Sequence, residues 1–247
     1  MESAFNRVIA LDPATGAERW AYAPHLDLSR HYGDPAARGV SMWLDTTRGD
    51  AQACRRRIFV GTLDARLIAI DAKTGTPCAD FGQGGQVDLF RDVPGAGPPD
   101  VYAETSAPAI VDDLVVVGAA VNDNQRTDTK RGIVRAFDAR TGAERWRFDP
   151  IPIGPADPAA QAWQGDSAAH TGGGGVWSTI SVDTARDLVY LPTESASPDF
   201  YGGERLGRDD YADSLVALRG CRATSCGTSK SSTTTSGTTT CRPSPPS

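Results

Sequence analysis

Apolar residues in this chain come in short runs, set apart by Gly, Pro, Asp and Ser. RVIAL (7–11), RRIFVGT (56–62), ARLIAI (65–70), GIVRAF (132–137) and DSLVAL (213–218) are β-branched or aliphatic stretches of strand length. SAPAIVDDLVVVGAAV (106–121) and GVWSTISVDTARDLVYLPT (175–193) each hold two such runs around a polar turn, VDD in one and DTARD in the other, and read as hairpins. No segment carries a convincing 3.6-residue period. The pattern predicts an all-β protein.

The runs are followed by a recurring phrase. ALDPATGAERW (10–20) returns as AFDARTGAERW (136–146), and AIDAKTGTPCADF (69–81) keeps the Ala-x-Asp-x-x-Thr-Gly frame without the Trp. A fourth copy opens at Val216-Ala217-Leu218 and breaks off at Arg219. Each copy reads as strand, tight turn, strand. Asp supplies a side-chain acceptor for the turn, Gly the positive φ, and Trp sits on the returning strand. The copies start at 10, 69, 136 and 217, wider than the roughly 40–50 residues of a plain propeller blade, so loops must be inserted at 22–53, 82–105, 147–175 and 194–213. A β-propeller explains the repeat; a β-sandwich would leave it unexplained.

Composition narrows the function. The net charge is −6 and the arginines are scattered, which argues against a nucleic-acid partner. The longest apolar run, LVVVGAAV (114–121), is too short to cross a bilayer, and the first residues show no signal-peptide core, so the expectation is a chain without an export or membrane signal of its own. Five cysteines make no metal pattern; Cys54 and Cys78 can pair in an oxidising compartment, and Cys221, Cys226 and Cys241 lie in or beside the tail. HTGGGGVW (170–177) lacks the Gly-Lys-Ser/Thr of a phosphate loop, and the three histidines form no triad or metal pattern.

The Trp-bearing repeat resembles the docking motif of the eight-bladed quinoprotein dehydrogenases. ARGVSMW (37–43), RRIFVGTLDARLIAIDAKTGTPCADFG (56–82), TSAPAIVDDLVVVGAAVNDN (105–124), RGIVRAFDARTGAERWRFDP (131–150) and LVYLPTESASPDFYGGER (188–205) are similar to the membrane-bound glucose/quinate/shikimate branch. The resemblance runs from about residue 7 to 218. It implies about three blades of an eight-bladed propeller over 1–219. It also implies pyrroloquinoline quinone (PQQ) with Ca²⁺ or Mg²⁺, an alcohol or polyol substrate, ubiquinone as acceptor, and a place on the periplasmic side of the inner membrane. By the same resemblance Arg38, Trp177 and Thr193 contact the cofactor, with Trp177 as its floor, and Asp123, Asn124 and Ser197 supply oxygens to the cation. Each has a plainer reading: Asp-Asn as a turn, Trp177 as core, Arg38 as a solvated loop residue. A non-catalytic propeller scaffold is the alternative for the whole.

Two stretches depart from the family pattern. The family's His-x-x-Cys-Arg-Gly reads Asp34-Pro35-Ala36-Ala37-Arg38-Gly39, with His31 out of register, and its Thr-Gly-Asn reads Thr193-Glu194-Ser195, so a cation-binding amide is missing.

The tail, 220–247, is Ser/Thr-rich where the family has a segment resembling HFQTVHHDLWDYDVPAQP, home of its catalytic base. Read one frame out, TTTSGTTT (233–240) can encode HHDLWDYD, and permissible codons extend the match from Thr228 to Pro245. The tail therefore reads as a frameshifted segment, with a plain linker as the alternative. It predicts a disordered tail, no returning strand for the fourth repeat, no catalytic residue within this chain, and no turnover.

Overall fold

The computed structural model describes residues 1–33, 35–122, 124, 126–154, 157–220 and 225–230. They form five antiparallel sheets. β1 (Val8–Leu11) pairs with β2 (Glu18–Tyr22). β3 (Ser41–Leu44), β4 (Arg56–Gly61), β5 (Arg66–Asp71) and β6 (Gln86–Asp88) make a four-stranded sheet in chain order. β7 (Tyr102–Ala103) will pair with β10 (Ala120–Val121), and between them lie β8 (Ala109–Val111) and β9 (Leu114–Val117). β8 and β9 join β11 (Val134–Asp138) and β12 (Glu144–Phe148) in a second four-stranded sheet. β13 (Ser181–Asp183), β14 (Leu188–Pro192), β15 (Ser214–Arg219) and β16 (Ser225–Lys230) make the third. The all-β propeller expectation holds.

The sheets stack because their strands are apolar on both sides. On β4 and β5, Val60, Ile68 and Ile70 face Val8 of the first hairpin, while Phe59, Leu67 and Ala69 face Val115, Val117 and Phe137 of the next sheet. That sheet's other face, Val116, Val134 and Ala136, meets Val189, Leu191, Val216 and Leu218. Side chains alternate across a strand, so a strand buried on both faces reads as an unbroken apolar run. LVVV in β9 is the clearest case.

Each complete copy of the repeat builds the same turn. Asp12, Asp71 and Asp138 each accept hydrogen bonds from the amides two and three residues on, at 2.7–3.3 Å. The glycine that follows takes φ of +73°, +76° and +73° at Gly16, Gly75 and Gly142. Trp20 and Trp146 lie on the returning strands and reach the neighbouring sheet: the Trp20 indole N–H donates to Ala72 O at 3.2 Å, and that of Trp146 to Gly220 O at 2.6 Å. Ala72 and Gly220 occupy equivalent places, one residue past the Asp71 and Arg219 positions.

Three features differ from expectation or go beyond it. Loop 22–53 contains β3, whose Trp43 is buried and whose Met42 and Leu44 are exposed, a strand too short to stand out from its flanks. The expectation that the fourth repeat lacks a returning strand is corrected at Ser225–Lys230, which pairs with Ser214–Leu218. Ladder hydrogen bonds use backbone groups alone, so an edge as regular as β15 accepts a Ser/Thr segment. The rest of the tail, 221–224 and 231–247, lies outside the described residues. Cys54 and Cys78 form a disulfide, Cα–Cα 5.8 Å, that ties the β3–β4 loop to the turn after β5.

Candidate functional site

Four of the residues singled out in the sequence, Arg38, Asn124, Trp177 and Thr193, line one cavity of about 1000 Å³. Its wall includes Arg38 from the loop before β3, Thr105 just after β7, Asn124 after β10, Trp177 before β13, and Thr193 and Glu194 after β14. Loop ends from three different sheets meet there, as expected of a site carried by connections on a rigid scaffold.

At its centre the Arg38 guanidinium lies over the Trp177 ring, 4.9 Å from the ring centroid. Thr105 holds both partners. Its carbonyl accepts from the Arg38 backbone N–H at 3.2 Å and from Nη1 at 3.3 Å, and its hydroxyl donates to Trp177 O at 3.2 Å. Trp177 is 43 % exposed and lines the cavity. A flat, anionic molecule suits such a pair: an aromatic surface to stack on and a cation beside it.

The run Gly172–Gly175 threads between two loops and places Trp177. Its amides all have protein acceptors: Gly172 N–H to Thr127 O, Gly173 to Lys130 O, Gly174 to Ser195 O, and Gly175 to the Glu194 carboxylate at 2.9 Å. These amides are not a phosphate cradle. Glycine is needed because a Cβ at 172 would sit 2.1 Å from Thr129 O, and one at 175 would sit 2.2 Å from Ala119 O and 2.8 Å from Glu194 Oε1. Gly173 and Gly174 also take positive φ, +73° and +76°.

The remaining predicted residues divide. Asn124 is exposed on the cavity wall. Asp123 lies outside the described residues. Thr193 is on the wall, but its hydroxyl is engaged, 2.5 Å from Tyr211 O and 3.0 Å from Ser214 O, while accepting the Ser214 N–H at 3.1 Å. Ser197 is not brought to the cavity. It is fully buried, its amide donates to Gly172 O, and its hydroxyl packs where a Cβ on Gly173 would fall.

Several wall residues were not singled out in the sequence: Thr105, Glu194, Asp199 and Asp213, with Tyr32 beside His31. Only Glu194 left a trace, as a carboxylate standing where the resembled pattern has glycine. Among the described residues, the charged wall residues other than histidine are three carboxylates, Glu194, Asp199 and Asp213, and one guanidinium, Arg38; Asp213 also pairs with Arg205 at 4.0 Å. Between the wall residues Ala103 and Thr105, Glu104 faces the other way, 1 % exposed, against Gly61. Burial pushes its carboxyl well above the usual range, and the nearby Arg135 guanidinium offsets this only in part. A second hollow, about 720 Å³, lies between Asp128, Asp166, His170 and Glu204 and lacks an aromatic floor.

The comparisons with known proteins bear on the family and the fold. A family model described as "PQQ: Glucose/ethanol/alcohol dehydrogenase, beta-propeller domain" matches residues 1–222. The quinoprotein glucose dehydrogenase of Escherichia coli K12 is 37 % identical over 224 residues, which cover 87 % of this chain and 27 % of that protein. The quinate/shikimate dehydrogenase (quinone) of Acinetobacter baylyi is 37 % identical over 230 residues, 86 % of this chain and 27 % of its own length. Among solved structures, the quinohemoprotein alcohol dehydrogenase of Comamonas testosteroni superposes with a TM-score of 0.74 at 26 % identity, covering 93 % of this chain and 32 % of that one. The chain thus spans under a third of the length of these relatives. Its repeat, its sheets and its matched span together place it in the PQQ glucose/ethanol/alcohol dehydrogenase β-propeller family.

Proposed function

We propose that this chain carries the cofactor-pocket portion of a PQQ-dependent dehydrogenase of the glucose/quinate/shikimate type, acting on an alcohol or polyol. When bound, PQQ would supply the electron-accepting chemistry for oxidation of the alcohol, with ubiquinone as the onward acceptor. The Arg38–Trp177 stack carries the reading. Trp177 would lie under the cofactor ring and Arg38 would meet its negative charge, with Thr105 holding both in place. The wall's oxygen chemistry, the Asn124 amide and the Glu194 carboxylate, fits a hard cation such as Ca²⁺ or Mg²⁺. A periplasmic setting is supported by the Cys54–Cys78 disulfide, since disulfides persist in oxidising compartments. Among the described residues no helix is long and apolar enough to cross a membrane.

The proposal includes the absence of turnover in the 247-residue chain, because the carboxylate expected to act as base falls in the altered tail. Titration of the purified chain with PQQ and Ca²⁺ should quench tryptophan fluorescence saturably, and Trp177→Phe should remove most of that response. A flat titration would sink the pocket assignment and favour a non-catalytic scaffold. PQQ-dependent dye reduction by the chain would overturn the claim of inactivity alone.

A further inference from the structure

The four copies of the repeat also fix which way each sheet faces. Counting back from Asp12, Asp71, Asp138 and Arg219, the residue one before is Leu11, Ile70, Phe137 and Leu218. The residue four before is Val8, Leu67, Val134 and Leu215. An odd spacing along a strand puts the two series on opposite faces. Within the molecule these faces meet in order: Val8 shares a core with Ile70, Leu67 with Phe137, and Val134 with Leu218. All six residues are at most 2 % exposed.

Two residues of the series are left over, one at each end of the stack. Leu11 is 42 % exposed and Leu215 48 %. Apolar neighbours extend both patches. Ile9 stands two residues from Leu11 and exchanges two backbone hydrogen bonds with the exposed Met1. Ala217 stands two residues from Leu215, with Tyr190 opposite it on β14. Tyr190 occupies the place of Phe59 on β4 and Val116 on β9, which lie opposite Ala69 and Ala136 and are buried against the following sheet. The Leu215 face is thus built like the faces that other sheets cover, and the Leu11 face like those that do the covering.

We propose that the Leu215 face of one chain seats on the Leu11 face of a second copy, a head-to-tail contact that repeats the molecule's own packing of sheet on sheet. A chain that bears both halves of a contact it makes three times internally is its own complementary partner. Such a heterologous contact leaves a free face on each outer copy, so it grows into short oligomers unless the rotation between copies closes a ring. It is weaker than the contacts formed by Trp20 and Trp146, because the returning strand Ser225–Lys230 has no Trp to donate an indole hydrogen bond. The proposal does not depend on cofactor binding.

Sedimentation velocity of the full chain should show a mass that rises with concentration in the micromolar range. Leu11→Glu and Leu215→Glu should each weaken this association about tenfold or more. Circular dichroism should be unchanged in both, since each side chain is already well exposed in the single chain. A mixture of the two variants should recover a dimer, because the intact Leu215 face of one still meets the intact Leu11 face of the other. That recovery is specific to a head-to-tail contact. A parent that stays monomeric at every concentration overturns the proposal and leaves the two faces to a different partner, such as a further sheet. Association that survives both substitutions, or a mixture that stays monomeric while the parent associates, overturns it as well.

Discussion

Glu104 shows how one side chain ties the pocket to the stability of the protein. Among the described residues, neither of its carboxyl oxygens has a hydrogen-bond partner, and Arg135 Nε nearby lacks one too. Burial favours the neutral acid, so the folded protein holds this proton to a higher pH than the unfolded chain does. The stabilisation is complete below the unfolded value, near 4.5, and is lost as pH rises through the folded value. Glu104→Gln should flatten the fall of stability as pH rises above about 4.5; denaturant melts of both proteins from about pH 4.5 upward would show it. Parallel curves would refute this assignment. Other residues of the site were legible in the sequence only where a motif carried them. Arg38 and Trp177 stand in recognisable phrases. Thr105 does not, because its importance comes from hydrogen bonds reaching 67 and 72 residues along the chain. The closeness of Gly175 to Glu194 is equally non-local.

At the scale of the element, the Asp-x-x-Thr-Gly turn was readable because everything it needs lies within four residues. Asp138 also accepts from the Thr141 hydroxyl and pairs with Arg145 at 2.6 Å. Asp138→Ala strips the turn of its acceptors while leaving Gly142 in place; a cost of about 1–2 kcal/mol is expected, by analogy with the loss of a helix cap, and chemical denaturation would measure it. A cost within about 0.5 kcal/mol, ordinary for a surface change, would mean that Gly142 alone sets the turn. The elements that escaped the sequence did so for opposite reasons. β3 is four residues long, and two of them, Met42 and Leu44, are apolar yet exposed, which blurs its period. β16 has no apolar pattern and owes its place to the partner strand beside it.

For the whole molecule, neighbouring sheets are joined by apolar layers. Beside the apolar layers, a charged cluster bridges the β3–β6 sheet and its neighbour. Arg140 pairs with Asp113 at 2.8 Å and Asp45 at 3.2 Å, lies 4.9 Å from the Trp43 ring, and gives its carbonyl to the buried Arg57. The Asp45 carboxyl is held down at about 2, against the cost of its burial, by Thr47 and Arg140. The disulfide borders the same cluster: Cys54 O accepts from Arg57 Nε at 3.2 Å. Its loop of roughly 25 residues suggests about 3 kcal/mol of stabilisation. Reduction, or Cys54→Ser with Cys78→Ser, should therefore lower the melting temperature by several degrees, and an unmoved melting curve would contradict that.

The indole contacts between sheets have a consequence for how such a chain can change over time. Trp20 and Trp146 hold the next sheet by a backbone carbonyl, at Ala72 and Gly220. Every residue type offers that group, so the grip does not inspect the side chain it closes on. At the fourth repeat Arg219 stands where the other copies have the turn-forming Asp, and Trp146 finds its acceptor one residue later. The burden of sequence therefore falls on the giver of the contact alone. A receiving sheet can lose its own motif and stay seated, so decay in one repeat leaves the seating of the repeats before it intact.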